Sequence, residues 1–470
     1  MKIFASRGEE LSSIALFLLC LLSRVLSVCM CILADVLGVD HIAQGVSYYC
    51  RIENSSAAAA DFQKISFAVS WWLEPFVKWD SAHYLNIARN GYRHEKQLVF
   101  LPLFPTAIRL MRKALLFLGH FEGFDDEVTT STDQVSDAIS YNDSFVISAV
   151  FLNMLCYSVS CVVLVTLFER FNISQKTRTI SVWIYLANPA SIFFTTAYTE
   201  SLYSLLSWSS MLMIESDFYQ MFAVLPLALA SFTRSNGILN ATFIISKACK
   251  NILTSNRDGS LWVTILQTIW HVLMIFASVL PLFIVDSNNY ASLCNVSVVS
   301  NTSSICNFIE SSRRSVSFLS TPLYTSLQEK HWNVGFMKYY QFKQIPNFLL
   351  SIPILMIAIE TIRSCIVKVS RVVAKKEPKN SFFWFKSFLF QMATEEACLV
   401  HLILHLIIGV FFSNIQIVTR MVLSACPILY VTLADFFLEK SNNRYKWALL
   451  YVLIFNVIGT FLHVNHWPWT

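Results

Sequence analysis

Glycine is scarce in this chain, with 11 residues in 470, and only 14% of the residues are charged. No glycine-rich loop is present to cradle a phosphate, and no D-x-D pair is present to hold a nucleotide-sugar metal. A soluble nucleotide-binding domain is therefore unsupported. A soluble globular chain carries about 25% charged residues. Three stretches, 145–168, 261–285 and 447–464, contain no Asp, Glu, Lys or Arg at all. A helix crossing a bilayer needs about 20 apolar residues, and hydrophobic types make up 55% of this chain. Further apolar segments lie at 11–34, 98–118, 179–199, 201–214, 218–246, 345–362, 397–418 and 421–438. The composition predicts an all-α polytopic membrane protein of about 8–12 transmembrane helices, with residues 1–470 forming one integral membrane domain. Lys2 and Arg7 precede the first apolar segment and no small-residue cleavage site follows it. It reads as a retained anchor.

The net charge of +5 does not point to nucleic acid, because the cations cluster in loops. Residues 363–393 carry Arg363, Lys368, Arg371, Lys375, Lys376, Lys379 and Lys386, and residues 439–446 carry Lys440, Arg444 and Lys446. Lys247, Lys250 and Arg257 mark 247–258. The positive-inside rule places all three loops in the cytoplasm. The long loops 36–97 and 286–344 are then lumenal. Glycosylation acceptors at Asn54, Asn295 and Asn301 agree with that side. Cys294 and Cys306 flank two of those acceptors on the oxidising face, where a disulfide between them is expected. Segment 98–118 contains Pro102, Pro105, Arg109, Arg112 and Lys113. Whether it spans or lies on the interface decides the side of 119–142, and the sequence leaves both arrangements open.

Ionisable groups at membrane depth are costly and mark functional sites. Polar interruptions stand out, the last of them the terminal "HVNHWPWT" (463–470). "FVKWDSAHYLNIARNGY" (76–92) sets Asp80 among aromatics. "NPASIFFTTAYTESLYS" (188–204) carries Tyr198 and Glu200, and "SFTRSNGIL" (231–239) carries Arg234 and Asn236. "HWNVGFMKYYQFKQIPNFLL" (331–350) holds Trp332, Lys343 and Gln344, and "NIQIVTRMVLSACP" (414–427) holds Gln416 and Arg420. Their convergence would build a polar cavity at one face of the bundle. Arg234, Lys343 and Arg420 can neutralise a phosphate or diphosphate. Asp80 or Glu200 can take a proton from a hydroxyl. Trp79, Tyr84 and Tyr92 offer faces for a sugar ring or lipid chain. This inventory suits a glycosyltransferase that uses a lipid-phosphate sugar. A secondary transporter or lipid flippase also builds its site from broken helices, but no inverted repeat accompanies these breaks. His401 and His405 lie four apart, as metal ligands on one helix face do. Without an acidic neighbour they read as packing histidines, and a divalent metal is unsupported.

"KWDSAHYLNIARNGY" with "FLPLFP", then "NPASIFFTTAYTESLYS", "TRSNG", "HWNVGFMKYYQFKQIPNFLL", "QIVTR" and the terminal "PWT" resemble, in that order, the PIG-V family of GPI mannosyltransferase II enzymes. The resemblance covers nearly the whole chain. It implies a GT-C-type fold in the endoplasmic reticulum membrane with a lumenal site. It implies dolichyl-phosphate-mannose as donor and a mannosylated glycosylphosphatidylinositol (GPI) precursor as acceptor, which would gain its second mannose in α-1,6 linkage. Another lipid-linked mannosyltransferase would share this chemistry and differ in acceptor. The resemblance makes Asp80 the catalytic acid of the first lumenal loop. It names the donor as the lipid substrate, with no cofactor assigned and a divalent metal left open, and leaves room for an accessory membrane subunit.

Overall fold

The computed structural model describes residues 12–38, 69–119, 134–216, 219–255, 261–294, 322–376, 396–439, 443–467 and 469. Helices make up its regular structure: α1 (Ser13–Leu37), α2 (Asp80–Asn90), α3 (Leu103–Phe117), α4 (Gln134–Arg170), α5 (Gln175–Leu186), α6 (Glu200–Ile214), α7 (Val224–Thr233), α8 (Ala241–Ser255), α9 (Leu261–Cys294), α10 (Pro322–Trp332), α11 (Ile345–Lys376), α12 (Ala397–Ile407), α13 (Val418–Ala425), α14 (Ile428–Leu438) and α15 (Asn443–Val464). Among the described residues, five stretches are long and apolar enough to cross a bilayer unaided: Ser13–Leu37, Ser140–Arg170, Ile265–Cys294, Phe342–Ala374 and Asn443–Val464. The pair Ile415–Ala425 and Ile428–Leu438, bent by 90°, forms a broken span or a re-entrant loop. The polytopic, all-helical class is as expected. The expectation of 8–12 spans counts every apolar segment. In the structure several of these segments fold as short helices joined at polar breaks, among them 179–199, 201–214 and 218–246.

Those breaks follow from the sequence. Pro189, Asn188 and a run of Ser and Thr stop α5 before a 3-10 turn (Ser191–Phe194), and Cys426-Pro427 separates α13 from α14. A freed backbone group inside a membrane must find a partner within the protein. Here it does. Asn456 donates to the carbonyls of Ala187 and Asn188 at 3.0 Å, and the Asn188 side chain ties the break to α14 by donating to the Tyr430 hydroxyl at 2.9 Å. Arg24, fully buried in α1, donates to the Leu186 carbonyl (3.0 Å), Ser191 Oγ (2.9 Å) and Thr195 Oγ1 (3.1 Å), and lies 4.0 Å over the Tyr157 ring. A charged residue in the first span thus staples α1 to the broken segment that leads to Glu200.

α3 forms most of the segment whose two arrangements the sequence leaves open. It has 15 residues, about 22 Å at roughly 1.5 Å per residue, too short to cross alone. Its cations face protein: Arg109 donates to the Ile87 carbonyl at 2.6 Å and also to that of Ala88, capping α2, while Arg112 donates to Ser144 Oγ at 2.8 Å beneath the Tyr141 ring. The helix lies against α2 and α4.

The two ends of the long helices carry different residues. Arg444 pairs with Glu360 at 3.3 Å and Lys368 with Glu396 at 2.8 Å at one end. At the other, α15 stops at His463 beside Trp79, whose indole donates to the His463 carbonyl at 3.2 Å. The first and second long loops both send residues to that second end. Cys294, the last residue of α9, is disulfide-bonded; Cys306, its expected partner, and the acceptors Asn54, Asn295 and Asn301 lie outside the described residues, as does the whole of 377–395.

Candidate active site

A cavity of about 490 Å³ opens at the second end, lined by Asp80, Tyr84, Tyr198, Arg234, Trp332 and Arg420 among others. Asp80 is the first residue of α2. The residue before it, Trp79, has φ 59° and ψ −130°, a conformation that bulky residues adopt only when their surroundings impose it. Here the Trp79 indole is anchored to α15 and stacks obliquely near His466, with ring centroids 5.7 Å apart. The twist presents Asp80 to the cavity. Its amide donates to the Tyr198 hydroxyl at 3.3 Å, and its carboxylate is engaged across the cavity instead of capping its own helix.

Two carboxylates and two guanidiniums alternate through the site. Arg420 Nη2 lies 3.2 Å from Asp80 Oδ2, Arg420 Nη1 3.6 Å from Glu200 Oε1, and Arg234 Nη1 2.5 Å from the same Glu200 oxygen. The formal charges cancel. Glu200 is fully buried, the arginines are 13–15% exposed, and the Asp80 side chain is 34% exposed. Glu200, at the start of α6, gains from the positive end of the helix dipole. It clamps both guanidiniums from below, and Asp80 is the carboxylate that substrate can reach. Arg420 also packs on the Phe193 and Tyr198 rings, 4.8 and 5.1 Å from their centroids. Arg234 is fixed further by Thr199 Oγ1 at 3.0 Å and Asn236 Oδ1 at 3.3 Å.

The cavity wall on the far side is aromatic. Tyr84, Phe100 and Trp332 pack edge to face, with centroids 4.9 and 5.9 Å apart. His83 stacks on Phe100 at 4.8 Å, and burial pushes it down to about 4 against the pull of Asp80. It is therefore uncharged at neutral pH. Glu95 joins the two long loops at the rim: its Oε1 accepts from Lys330 Nζ and contacts His331 Nε2, both at 2.8 Å. Burial alone would raise the Glu95 carboxyl, but these two partners hold it below the usual range.

The residues singled out from the sequence separate into groups. Asp80, Tyr84, Tyr198, Arg234, Asn236, Trp332 and Arg420 line the cavity. Glu200 lies directly behind the arginines, and Trp79 braces Asp80 from the side. Tyr92 closes a turn by donating to the Phe100 carbonyl at 2.6 Å. Gln344 and Gln416 belong to a separate polar knot outside the cavity lining. Tyr339 donates to Gln416 at 2.9 Å, and Asn347 donates to Tyr339 at 2.8 Å and Gln344 at 2.7 Å. Lys343 is exposed beside that knot. Tyr324, Gln328, Glu329 and Asn414 also line the cavity. Tyr324 and Gln328 are four apart, a helical spacing that could have revealed them. His401 and His405 are fully buried, and with Cys426 their candidate ligand atoms lie within 4.8 Å of one another.

A polytopic helical bundle that gathers paired carboxylates, arginines and an aromatic wall at one end of its spans has the make-up of a membrane-embedded glycosyltransferase. Sequence comparison makes the class specific: residues 13–470 match the mannosyltransferase (PIG-V) family, and the chain belongs to it. A GPI mannosyltransferase 2 of Drosophila pseudoobscura pseudoobscura is 28% identical over 85% of this chain and 89% of its own length. The GPI alpha-1,6-mannosyltransferase 2 of Homo sapiens is 25% identical over 75% of this chain and 71% of its own. The fission yeast Schizosaccharomyces pombe has a GPI mannosyltransferase 2 that is 25% identical over 88% and 77%. Among solved structures, the archaeal oligosaccharyltransferase AglB from Archaeoglobus fulgidus aligns with 95% of this chain at 9% identity and a TM-score of 0.41. The chain spans about half of that protein, 55% of its length.

Proposed function

We propose that this mannosyltransferase moves mannose from dolichyl-phosphate-mannose to the mannosylated GPI precursor, forming the α-1,6 linkage of the second mannose on the lumenal side of the endoplasmic reticulum membrane. The names of its relatives support the acceptor and the linkage. The observation that carries the chemistry is Asp80, a partly exposed carboxylate facing a 490 Å³ cavity within 3.2 Å of an arginine. The basic loop ends lie opposite the cavity, which supports a lumenal site under the positive-inside rule.

The reaction needs one displacement. Asp80 takes the proton of the acceptor hydroxyl as its oxygen bonds to mannose C1. The C1–O bond to phosphate breaks and its electron pair leaves with the dolichyl phosphate. A β-linked donor then gives an α-linked product by inversion. The leaving phosphate needs no proton, because Arg420 and Arg234 line the space in which its charge grows. A phosphate that draws on Arg420 competes with Asp80 for that guanidinium. Donor binding thereby loosens the pair and leaves Asp80 free to act as a base. Residues of the aromatic wall, Tyr84, Phe100 and Trp332, flank the sugar or the first isoprene units.

The test is genetic and chemical together. In cells lacking their own second GPI mannosyltransferase, this chain should restore surface GPI-anchored proteins and clear the one-mannose GPI precursor. Persistence of that precursor despite stable expression would refute the acceptor assignment.

A further inference from the structure

A chain of hydrogen bonds runs from the cavity into the bundle core. His405 Nδ1 lies 2.9 Å from the His401 carbonyl. A carbonyl only accepts, so Nδ1 carries the proton. In the neutral ring Nε2 is then an acceptor, and it receives Asn236 Nδ2 at 3.1 Å. A protonated ring would set two donors against each other there. The amide orientation of Asn236 is thereby fixed: its nitrogen points to His405 and its oxygen Oδ1 is left to accept Arg234 Nε at 3.3 Å. Asn236 is buried, and His405 is fully buried and lies outside the cavity lining. Gly237 allows this close packing. A Cβ there would lie 2.6 Å from the Ala230 carbonyl atoms, so the 3-10 turn Ser235–Asn240 seats directly on the end of α7.

We propose that His405 is a positioning residue of the transfer reaction: through the amide of Asn236 it sets the plane of the Arg234 guanidinium. The proposal rests on the reading that Arg234 holds the donor phosphate. Glu200 and Thr199 fix the Nη1 end of that guanidinium, and the His405–Asn236 relay fixes the Nε edge. Held at two edges, the planar fork cannot rotate, and its remaining donors keep one direction toward the cavity. His405 has no reach to substrate itself. Its effect should appear in donor binding alone.

The test uses the full-length enzyme in detergent with a short-chain polyprenyl-phosphate-mannose donor. His405→Leu keeps the volume and removes the acceptor. It should raise donor KM about tenfold, the consequence of one unpaired buried donor beside a charge, and leave acceptor KM unchanged. His405→Gln, whose Oε1 can reach the Nε2 position, should stay within about threefold of wild type on the same reasoning. In an Asn236→Leu background, His405→Leu should have no additional effect. Equal losses in the Leu and Gln variants, or independent losses in the double variant, would overturn the relay. So would stoichiometric zinc in the wild-type protein, since His401, His405 and Cys426 would then be ligands and the Nε2 lone pair would belong to the metal. Should His405→Leu fail to accumulate, Asn236→Leu with His405→Gln carries the same comparison, and unchanged donor KM in Asn236→Leu overturns it. Arg234→Ala separates the two levels: normal donor KM in that variant removes the phosphate reading, whereas a large loss there with independent effects at His405 and Asn236 removes only the relay.

Discussion

Glu200→Gln is the most informative single change, because Glu200 reaches no substrate and yet two site cations depend on it. One oxygen, Oε1, lies 2.5 Å from Arg234 and 3.6 Å from Arg420, and the side chain is fully buried. At such separations, and with an effective dielectric constant of about 20, each attraction is on the order of 5 kcal/mol before desolvation is counted. Breaking a buried pair by neutralising one member costs about 3–5 kcal/mol. The arginines retain 13–15% exposure and Arg420 keeps Asp80, which favours the lower end, about 3 kcal/mol. Glutamine preserves the shape and an acceptor oxygen but removes the negative charge that holds both guanidiniums. Arg420, left with Asp80 as its sole anion, then holds that carboxylate more tightly and makes it a poorer base. Activity should therefore fall by about 10² or more, as in the loss of a preorganised charge partner. Both effects can be read on one preparation, by thermal denaturation of the detergent-solubilised enzyme and by mannose transfer to a GPI-precursor acceptor. Unchanged melting and turnover in Glu200→Gln would refute the clamp, and Glu200→Asp, one methylene shorter, should fail to bridge both arginines.

Two further outcomes follow from particular contacts. Asp80→Asn keeps the shape and the α2 start but removes the proton acceptor, so transfer should fall by about 10²–10⁴ with expression and melting near wild type; robust transfer would exclude Asp80 as the base. Gly237→Ala drives a Cβ to 2.6 Å from the Ala230 carbonyl atoms, so stability should drop by about 1–3 kcal/mol as the turn shifts, measured as a lower melting temperature; an unchanged melt would show that the turn gives way freely.

Much of the site was legible because polar residues inside apolar runs are conspicuous. Asp80, Glu200, Arg234 and Arg420 stand in four separate segments, yet the cost of burying each unpaired charge already requires them to meet. Their pairing order was not legible. Nothing in "TAYTES" says that Glu200 lies below the arginines, for that depends on where α6 begins after the 3-10 turn at 191–194. Lys343 illustrates the opposite failure. It sits in a polar break like the others, but its short turn, Phe342–Gln344, leaves the side chain exposed, and a flexible cation at the rim of a bundle satisfies itself with water. The break between the last apolar segments was legible only as a Pro, because hydropathy sees apolar length and does not see a 90° bend at Cys426-Pro427. His405 was read as packing for want of an acidic neighbour. Its partner is an amide 169 residues away, and no spacing rule reaches that far.

Arg420 supplies the strongest test of why the site uses arginine. Its Nη2 meets Asp80 and its Nη1 meets Glu200, while its plane lies against Phe193 and Tyr198. A planar fork can serve two carboxylates and two rings at once, and it still presents an edge to an arriving phosphate. The ammonium of lysine is a point charge that would settle on one carboxylate. It would choose between steadying Glu200 and pairing with Asp80. Arg420→Lys should therefore keep the charge balance and the fold but lose about 10–100-fold in kcat/KM for the donor, between wild type and an Arg420→Ala variant reduced by about 10²–10³, as when one charge-stabilising donor is removed. Steady-state kinetics with varied donor would measure both. Full activity in Arg420→Lys would mean that the charge alone matters and that neither the two-sided contact nor the exchange between Asp80 and phosphate belongs to the mechanism.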